Sequence, residues 1–173
     1  VRDKLAWLAM YAETVEALGK AACQFCETLP GTDLVYPNPV YSNCAKFQFA
    51  NNFHEATKCV QDIAGGLPCE VFSRKDYLNP ETRGLIDKYF GGKAGIPTEH
   101  RLRAMHLVRD LTSSFEDLIT IHAEGSLAAQ RLSVYALGDW DRYKAAAKRV
   151  ARIEEGTSHP LFSNLPKFPT TWE

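Results

Sequence analysis

Between Asn38-Pro39 and Gly65-Gly66 the chain runs without a single internal glycine or proline. Few features constrain a fold more. Asparagine at an N-cap and proline at the first helical position start a helix cleanly. Paired glycines, which tolerate backbone angles closed to other residues, stop one. Between them Ala45, Phe49, Phe53, Ala56, Val60 and Ile63 recur at helical spacing, and Val40, Cys44 and Phe47 widen that face. The pattern predicts one long helix from Pro39 to about Ala64 with a broad apolar side. Such a helix needs neighbours to cover it.

The flanking segments supply them. Val1, Leu8, Val15 and Ala22 fall seven apart, with Leu5, Ala12 and Gly19 between, and Leu29-Pro30-Gly31-Thr32-Asp33 breaks this first stripe. Residues 67–78 read as a connecting loop. Asn79-Pro80 repeats the cap-plus-proline start for a short helix that ends at Gly91-Gly92. Thr98 can cap a long helix carrying Leu102, Met105, Val108, Leu111, Phe115 and Leu118, interrupted at Gly125-Ser126. A further helix covers about 127–137, and Asp139 caps a last one to about Ile153. Sustained two-residue alternation is absent. The expected fold class is all-α, an antiparallel four-helix-type bundle. Its expected domain is 1–155. Beyond it, 156–173 is expected to be a non-helical docking tail, because Pro160, Pro166 and Pro169 forbid a helix while Phe162, Phe168 and Trp172 favour contact with a surface.

Bulk properties narrow the function classes. With 173 residues, 45% hydrophobic and 24% charged, the chain has the composition of one globular domain. A net charge of -1 offers no basic surplus for nucleic acid, and no apolar run approaches a membrane span. Val1-Arg2-Asp3-Lys4 lacks a signal-peptide core. Five cysteines at irregular spacing argue against a disulfide framework, so a cytoplasmic location is expected. Cys23 and Cys26 fall on one face of a helical pattern and read as small core-facing thiols. The five histidines show no metal-ligand spacing, and no metal is expected. The lack of an initiator Met or N-cap before Val1 predicts that further sequence precedes it.

Two short segments could carry chemistry. One is the helix end at Gly65-Gly66. The other is Glu124-Gly125-Ser126, where glycine lets backbone approach a ligand and Ser126 can cap the next helix, whose first amides attract phosphate. On residues alone, a plain helix stop and a plain helix–helix turn remain open for these segments.

Similar blocks span nearly the whole chain: Pro37-Asn38-Pro39, Gln61-Asp62-Ile63-Ala64-Gly65-Gly66, Asn79-Pro80-Glu81, Lys88-Tyr89, and Glu124-Gly125-Ser126 followed by Gln130-Arg131. In these the chain resembles the C-terminal helical domain of the 4-hydroxyphenylacetate 3-hydroxylase family. These are flavoenzymes on the acyl-CoA dehydrogenase fold, and 4-hydroxybutyryl-CoA dehydratase is among them. The resemblance implies a flavin-dependent monooxygenase that uses reduced FAD and O2 on a phenol. It implies FAD shared with upstream N-terminal and β domains or a neighbouring subunit, a homodimer or homotetramer, and a flavin reductase partner. It implies FAD contacts from Gln61, Asp62, Gly65, Gly66 and Ser126, and Glu124 as a base. The chain alone is then expected to be inactive. The dehydratase pattern carries a glutamate three residues before its histidine, whereas Ile119 stands three residues before His122. A non-catalytic helical oligomerisation module is the third expectation.

Overall fold

The computed structural model describes residues 1–153, and the expected tail at 156–173 lies outside them. It divides into two compact units, Val1–Ala136 and a second that begins at Leu137. Among the described residues there are eight α-helices: α1 (Arg2–Gln24), α2 (Pro39–Ala64), α3 (Arg74–Leu78), α4 (Pro80–Phe90), α5 (Thr98–Ser113), α6 (Phe115–His122), α7 (Leu127–Leu137) and α8 (Trp140–Ala151). The all-α expectation holds. No helix among the described residues is long and apolar enough to cross a membrane.

Local chemistry sets the boundaries. The Asn38 side chain accepts the backbone N–H groups of Val40 and Tyr41, each at 3.1 Å, with Pro39 in the first turn, and α2 then runs 26 residues. Asn79 caps α4 in the same way and Asp139 caps α8. Thr98 does not cap α5. Pro97 holds that place, and Thr98 is the first helical residue, with its hydroxyl on the Asp87 carboxylate.

α1 and α2 form an antiparallel hairpin. Lys4 meets Asp62 at one end, the Tyr11 hydroxyl donates to the Phe49 carbonyl oxygen at 2.8 Å in the middle, and Asn38 N–H donates to Ala22 O at the other end. The contact face of α1 thus runs through Lys4, Leu8, Tyr11, Val15, Gly19 and Ala22, so the expected stripe holds at Leu8, Val15, Gly19 and Ala22 and fails at Val1, Leu5 and Ala12, which are exposed. Leu5 stays half exposed. The connection between the helices is not plain loop: β1 (Glu27–Thr28) pairs antiparallel with β2 (Val35–Tyr36). A two-residue strand is too short to leave an alternation in sequence. Because α1 ends at Gln24, Cys26 lies beyond the helix, and Cys23 and Cys26 are both exposed rather than core-facing.

The segment after α2 folds on itself. A 3-10 turn (Leu67–Cys69) and α3 occupy the stretch expected to be loop, and α3 begins with a capping box between Ser73 and Asp76. Tyr77, Ile86, Phe90 and Leu102 form a buried cluster, backed by Leu67, Val71 and Met105. The long helix expected from Thr98 is broken twice. It stops at Ser114, whose side chain caps α6, and again at Gly125, where φ is +77°.

Candidate functional site

The end of α2 carries the first group of site residues. Gln61 and Asp62 are neighbours on the helix, about 100° apart around its axis, and so serve different partners. Gln61 Nε2–H donates to Thr112 O at 3.0 Å and to the Ser113 hydroxyl at 3.4 Å, tying α2 to the end of α5. Asp62 turns the other way and pairs with Lys4 of α1. Gly65 follows at φ 66°, ψ -145°, a region reserved for glycine. Its N–H donates to Gln61 O at 2.9 Å, which closes the helix. Gly66 has ordinary right-handed angles, so only the first glycine of the pair is demanded by conformation. Both are exposed, and a Cβ at either would meet nothing within 4 Å. The backbone here is open to an approaching group. A helix C-terminus presents carbonyl oxygens and the negative end of the dipole, so it favours hydrogen-bond donors over phosphate.

The second group lies at the α6–α7 turn. Ser126 starts α7: its carbonyl accepts Gln130 N–H at 3.1 Å, and its hydroxyl faces Ala129 N–H at a long 3.4 Å. This end of α7 presents amides and the positive end of the dipole, the polarity suited to an anion. Glu124 is half-buried. Its carbonyl oxygen accepts the Gln130 Nε2–H at 2.7 Å, and its carboxylate lies close enough to Tyr11 to act on that phenol. Tyr11 is pushed up to about 12, first by burial and then by the Glu124 charge, so it stays a neutral donor to Phe49 O.

Gln130 is the residue whose importance its place in the sequence did not reveal. It is 2% exposed, and its Oε1 is buried with no hydrogen-bond partner. It borders a groove of about 640 Å³ between α1, α2 and α7, walled by Leu18, Cys44, Phe47 and Val134, with Arg131 stacked over Phe47 at 5.7 Å. Burial raises the Cys44 thiol pKa. Its signals in the sequence were a phase shared with apolar neighbours on α7 and a place in the Glu-Gly-Ser block that carries the family resemblance.

The two groups do not converge on one point. Gln61 is anchored at Thr112, just before α6, whereas Glu124 to Ser126 follow α6, and an eight-residue helix spans about 12 Å. The arrangement can grip an extended ligand at two places of opposite polarity. It does not assemble a compact catalytic pocket.

Comparison with known proteins decides the family. Residues 1–152 match the family HpaB, 4-hydroxyphenylacetate 3-hydroxylase C terminal. The chain belongs to this family. It is 26% identical over 170 residues to the 4-hydroxybutyryl-CoA dehydratase/vinylacetyl-CoA-Δ-isomerase of Clostridium aminobutyricum, covering 89% of this chain and 34% of that protein. An oxygen-tolerant archaeal 4-hydroxybutyryl-CoA dehydratase from N. maritimus superposes with a TM-score of 0.73 at 26% identity, over 92% of this chain and 32% of that one. The oxygenase component of 4-hydroxyphenylacetate 3-monooxygenase, solved with FAD and 4-hydroxyphenylacetate, shares the fold with a TM-score of 0.74 at 17% identity, over 87% of this chain and 32% of that one. The HpaB-type chain therefore spans about a third of the length of these relatives.

Proposed function

We propose that this chain is the C-terminal oligomerisation and FAD-contacting domain of a flavin-dependent oxidoreductase of the 4-hydroxyphenylacetate 3-monooxygenase type. The observation that carries the reading is the family match over residues 1–152, together with two backbone-open helix ends at the positions the family resemblance assigns to FAD. The polarity of those ends assigns different work to each. Gly65 and Gly66, with acceptor carbonyls, would receive ribose hydroxyls or the adenine amino group. Ser126 and the first amides of α7 would face the pyrophosphate. Gln61 would hold α2 against α5 while offering its Oε1 to the same ligand. Asp62, on another side of the helix and paired with Lys4, would accept from the ligand only by leaving that partner. Glu124, beside a phenol kept neutral, would act as a base or as a fixed negative charge.

When bound and reduced, FAD supplies the oxygen chemistry for hydroxylating a phenol. This chain's residues hold the nucleotide half. The N-terminal and β domains would build the pocket around the reacting ring and exclude water from it. A homodimer or homotetramer, in a cytoplasmic setting with a flavin reductase, completes the proposal.

A second reading is the dehydratase/isomerase type. The 26% identity to two such proteins, against 17% to the oxygenase, favours it. Ile119 in place of the expected glutamate speaks for the oxygenase.

The test is an FAD titration followed by flavin fluorescence, on the chain alone and on the chain joined to the N-terminal and β domains of a relative. Alone it should bind more weakly than ~100 μM, about -5.5 kcal/mol, because half a site still costs the ligand its translational and rotational freedom. The joined protein should bind far more tightly. Equally weak binding in both would leave only the oligomerisation module. Oxygen-dependent hydroxylation of 4-hydroxyphenylacetate by the joined protein, against dehydration of 4-hydroxybutyryl-CoA, separates the two enzymatic readings.

A further inference from the structure

A cleft of about 580 Å³ opens between α3 and α5 and shares no residue with the proposed flavin contacts. Its floor and walls are apolar. Tyr77 and Leu102 belong to the buried cluster, while Phe72, Leu78 and Leu107 line the opening and are 39%, 57% and 58% exposed. Its rim is unusually rich in arginine, and charge pairing there is almost complete. Arg103 is forked onto Glu99 through Nε at 3.1 Å and an NH2 group at 2.6 Å. Arg83 donates to Asp87 at 3.1 Å while its guanidinium lies over the Tyr77 ring at 4.1 Å. Asp110 accepts from Arg109 at 3.3 Å. His106 is engaged at both ring nitrogens: Nδ1 faces the Arg109 guanidinium at 3.0 Å and Nε2 faces Phe72 O at 2.9 Å. Asp76, beside the rim, turns its carboxylate back onto the Ser73 N–H and hydroxyl. Arg74 is left over. It lines the cleft and has no carboxylate partner among the described residues.

We propose that this cleft binds an organic monoanion, an apolar body carrying one carboxylate, with the body between Phe72, Leu102 and Leu107 and the carboxylate on Arg74. A neutral molecule would leave the Arg74 charge unanswered, and a cation would be repelled by it. A dianion would find no second unpaired charge, since the other rim cations are already committed. The floor is fixed before any ligand arrives. Ser73 and Asp76 lock the start of α3, and Arg83 is pinned on Tyr77, so little ordering cost falls on binding.

Octanoate, octan-1-ol and octylamine probe the site on the full chain by calorimetry, with amide NMR shifts to locate binding. Octanoate should saturate at roughly 1 mM or below, as a good ligand of its size can. Octan-1-ol should bind about fivefold more weakly, the most an exposed ion pair commonly gives, and octylamine more weakly still. Arg74→Gln should bring octanoate down to the alcohol while leaving the alcohol unchanged. Arg74 is exposed and outside the buried cluster, so circular dichroism should stay that of the parent. Leu107→Gln should weaken acid and alcohol alike. The proposal is overturned if octanoate shows no saturable binding, if the alcohol binds as well as the acid, or if Arg74→Gln leaves their ratio intact.

Discussion

The α1–α2 hairpin and the cluster built from α3, α4 and α5 bury their apolar surface in opposite ways. In the cluster the buried side chains are large: Tyr77, Ile86, Phe90 and Leu102 are each 4–7% exposed and touch one another. In the hairpin the buried side chains are small: Ala22, Ala50 and Cys59. Its large residues form a half-buried ladder instead, with Trp7 stacked on Tyr11 at 5.5 Å, Tyr11 on Phe49 at 6.2 Å, and Phe49 tilted against Phe53 at 5.5 Å. Beyond the seam Val1, Leu5 and Met10 are 76%, 51% and 68% exposed. One region closes over its own core. The other is a two-helix seam whose flanks invite cover, which fits the proposed oligomer and the proposed upstream domains.

The largest expected effect separates the two. Phe90→Ala should destabilise by about 3–5 kcal/mol, the cost of emptying a closed aromatic site. Phe90 also packs edge-on against Phe72 at 5.6 Å and lies under the Arg101 guanidinium. Met10→Ala should cost about 0.5 kcal/mol or less, as an exposed position does. Urea unfolding of the two variants checks this. Similar losses would mean that the hairpin's apolar flank is buried in the protein as it exists in solution.

Next in size is Gly65→Val. A Cβ at Gly65 meets nothing within 4 Å, so the cost of adding one there is conformational. A β-branched residue at φ 66° should lose about 1–3 kcal/mol. In the joined protein, flavin affinity should fall by more than stability does. Equal loss of both would make the glycine a helix terminator and nothing else.

These contrasts also show what could be read in advance. Both ends of α2 and α4 and the start of α8 were legible because asparagine, aspartate, proline and glycine act on backbone within three residues of themselves. The break at Ser114 was not. Its hydroxyl caps α6 and bonds Asp110 O, a choice that an uninterrupted helical stripe outvotes in sequence. The stripe on α1 was legible at Leu8, Val15, Gly19 and Ala22, but Lys4 and Tyr11, which join the same face, are residues a hydrophobic stripe passes over. Gln61, Asp62, Gly65, Gly66, Glu124 and Ser126 came from likeness to a family. Their separation along α6 could not, since it depends on how the helix expected from Thr98 is broken at Ser114.

Tyr11→Phe comes next. It removes the donor to Phe49 O while keeping the ring stack, so about 1 kcal/mol should be lost. The parent should show a matching pH dependence. The folded chain holds the phenolic proton more tightly than the unfolded chain, whose tyrosine titrates near 10.0. The hydrogen bond's contribution is therefore complete below that pH and is lost as pH rises to about 12. Ultraviolet titration of tyrosinate, comparing parent and Tyr11→Phe, should remove one late-titrating group. Glu124→Gln should bring that titration down, because it deletes the negative charge that opposes tyrosinate.

The smallest effect is expected at Lys4→Met. Lys4 and Asp62 join the free ends of α1 and α2, and their side chains are 39% and 59% exposed. Water screens such a pair, and fixing a lysine costs rotamer freedom, so only about 0–1 kcal/mol of stability should go. Salt should erase most of the difference between parent and variant. A loss in the roughly 3–5 kcal/mol range of a buried pair would instead mean that this end of the hairpin is covered in solution. Flavin affinity of the joined protein gives the measurement its second use. Methionine keeps much of the lysine stem but releases Asp62 from its partner. If Asp62 receives a ribose hydroxyl, freeing it changes affinity while the fold stays intact. If Asp62 serves only the hairpin, affinity stays with the parent and the nucleotide contact reduces to Gln61, Gly65, Gly66 and Ser126.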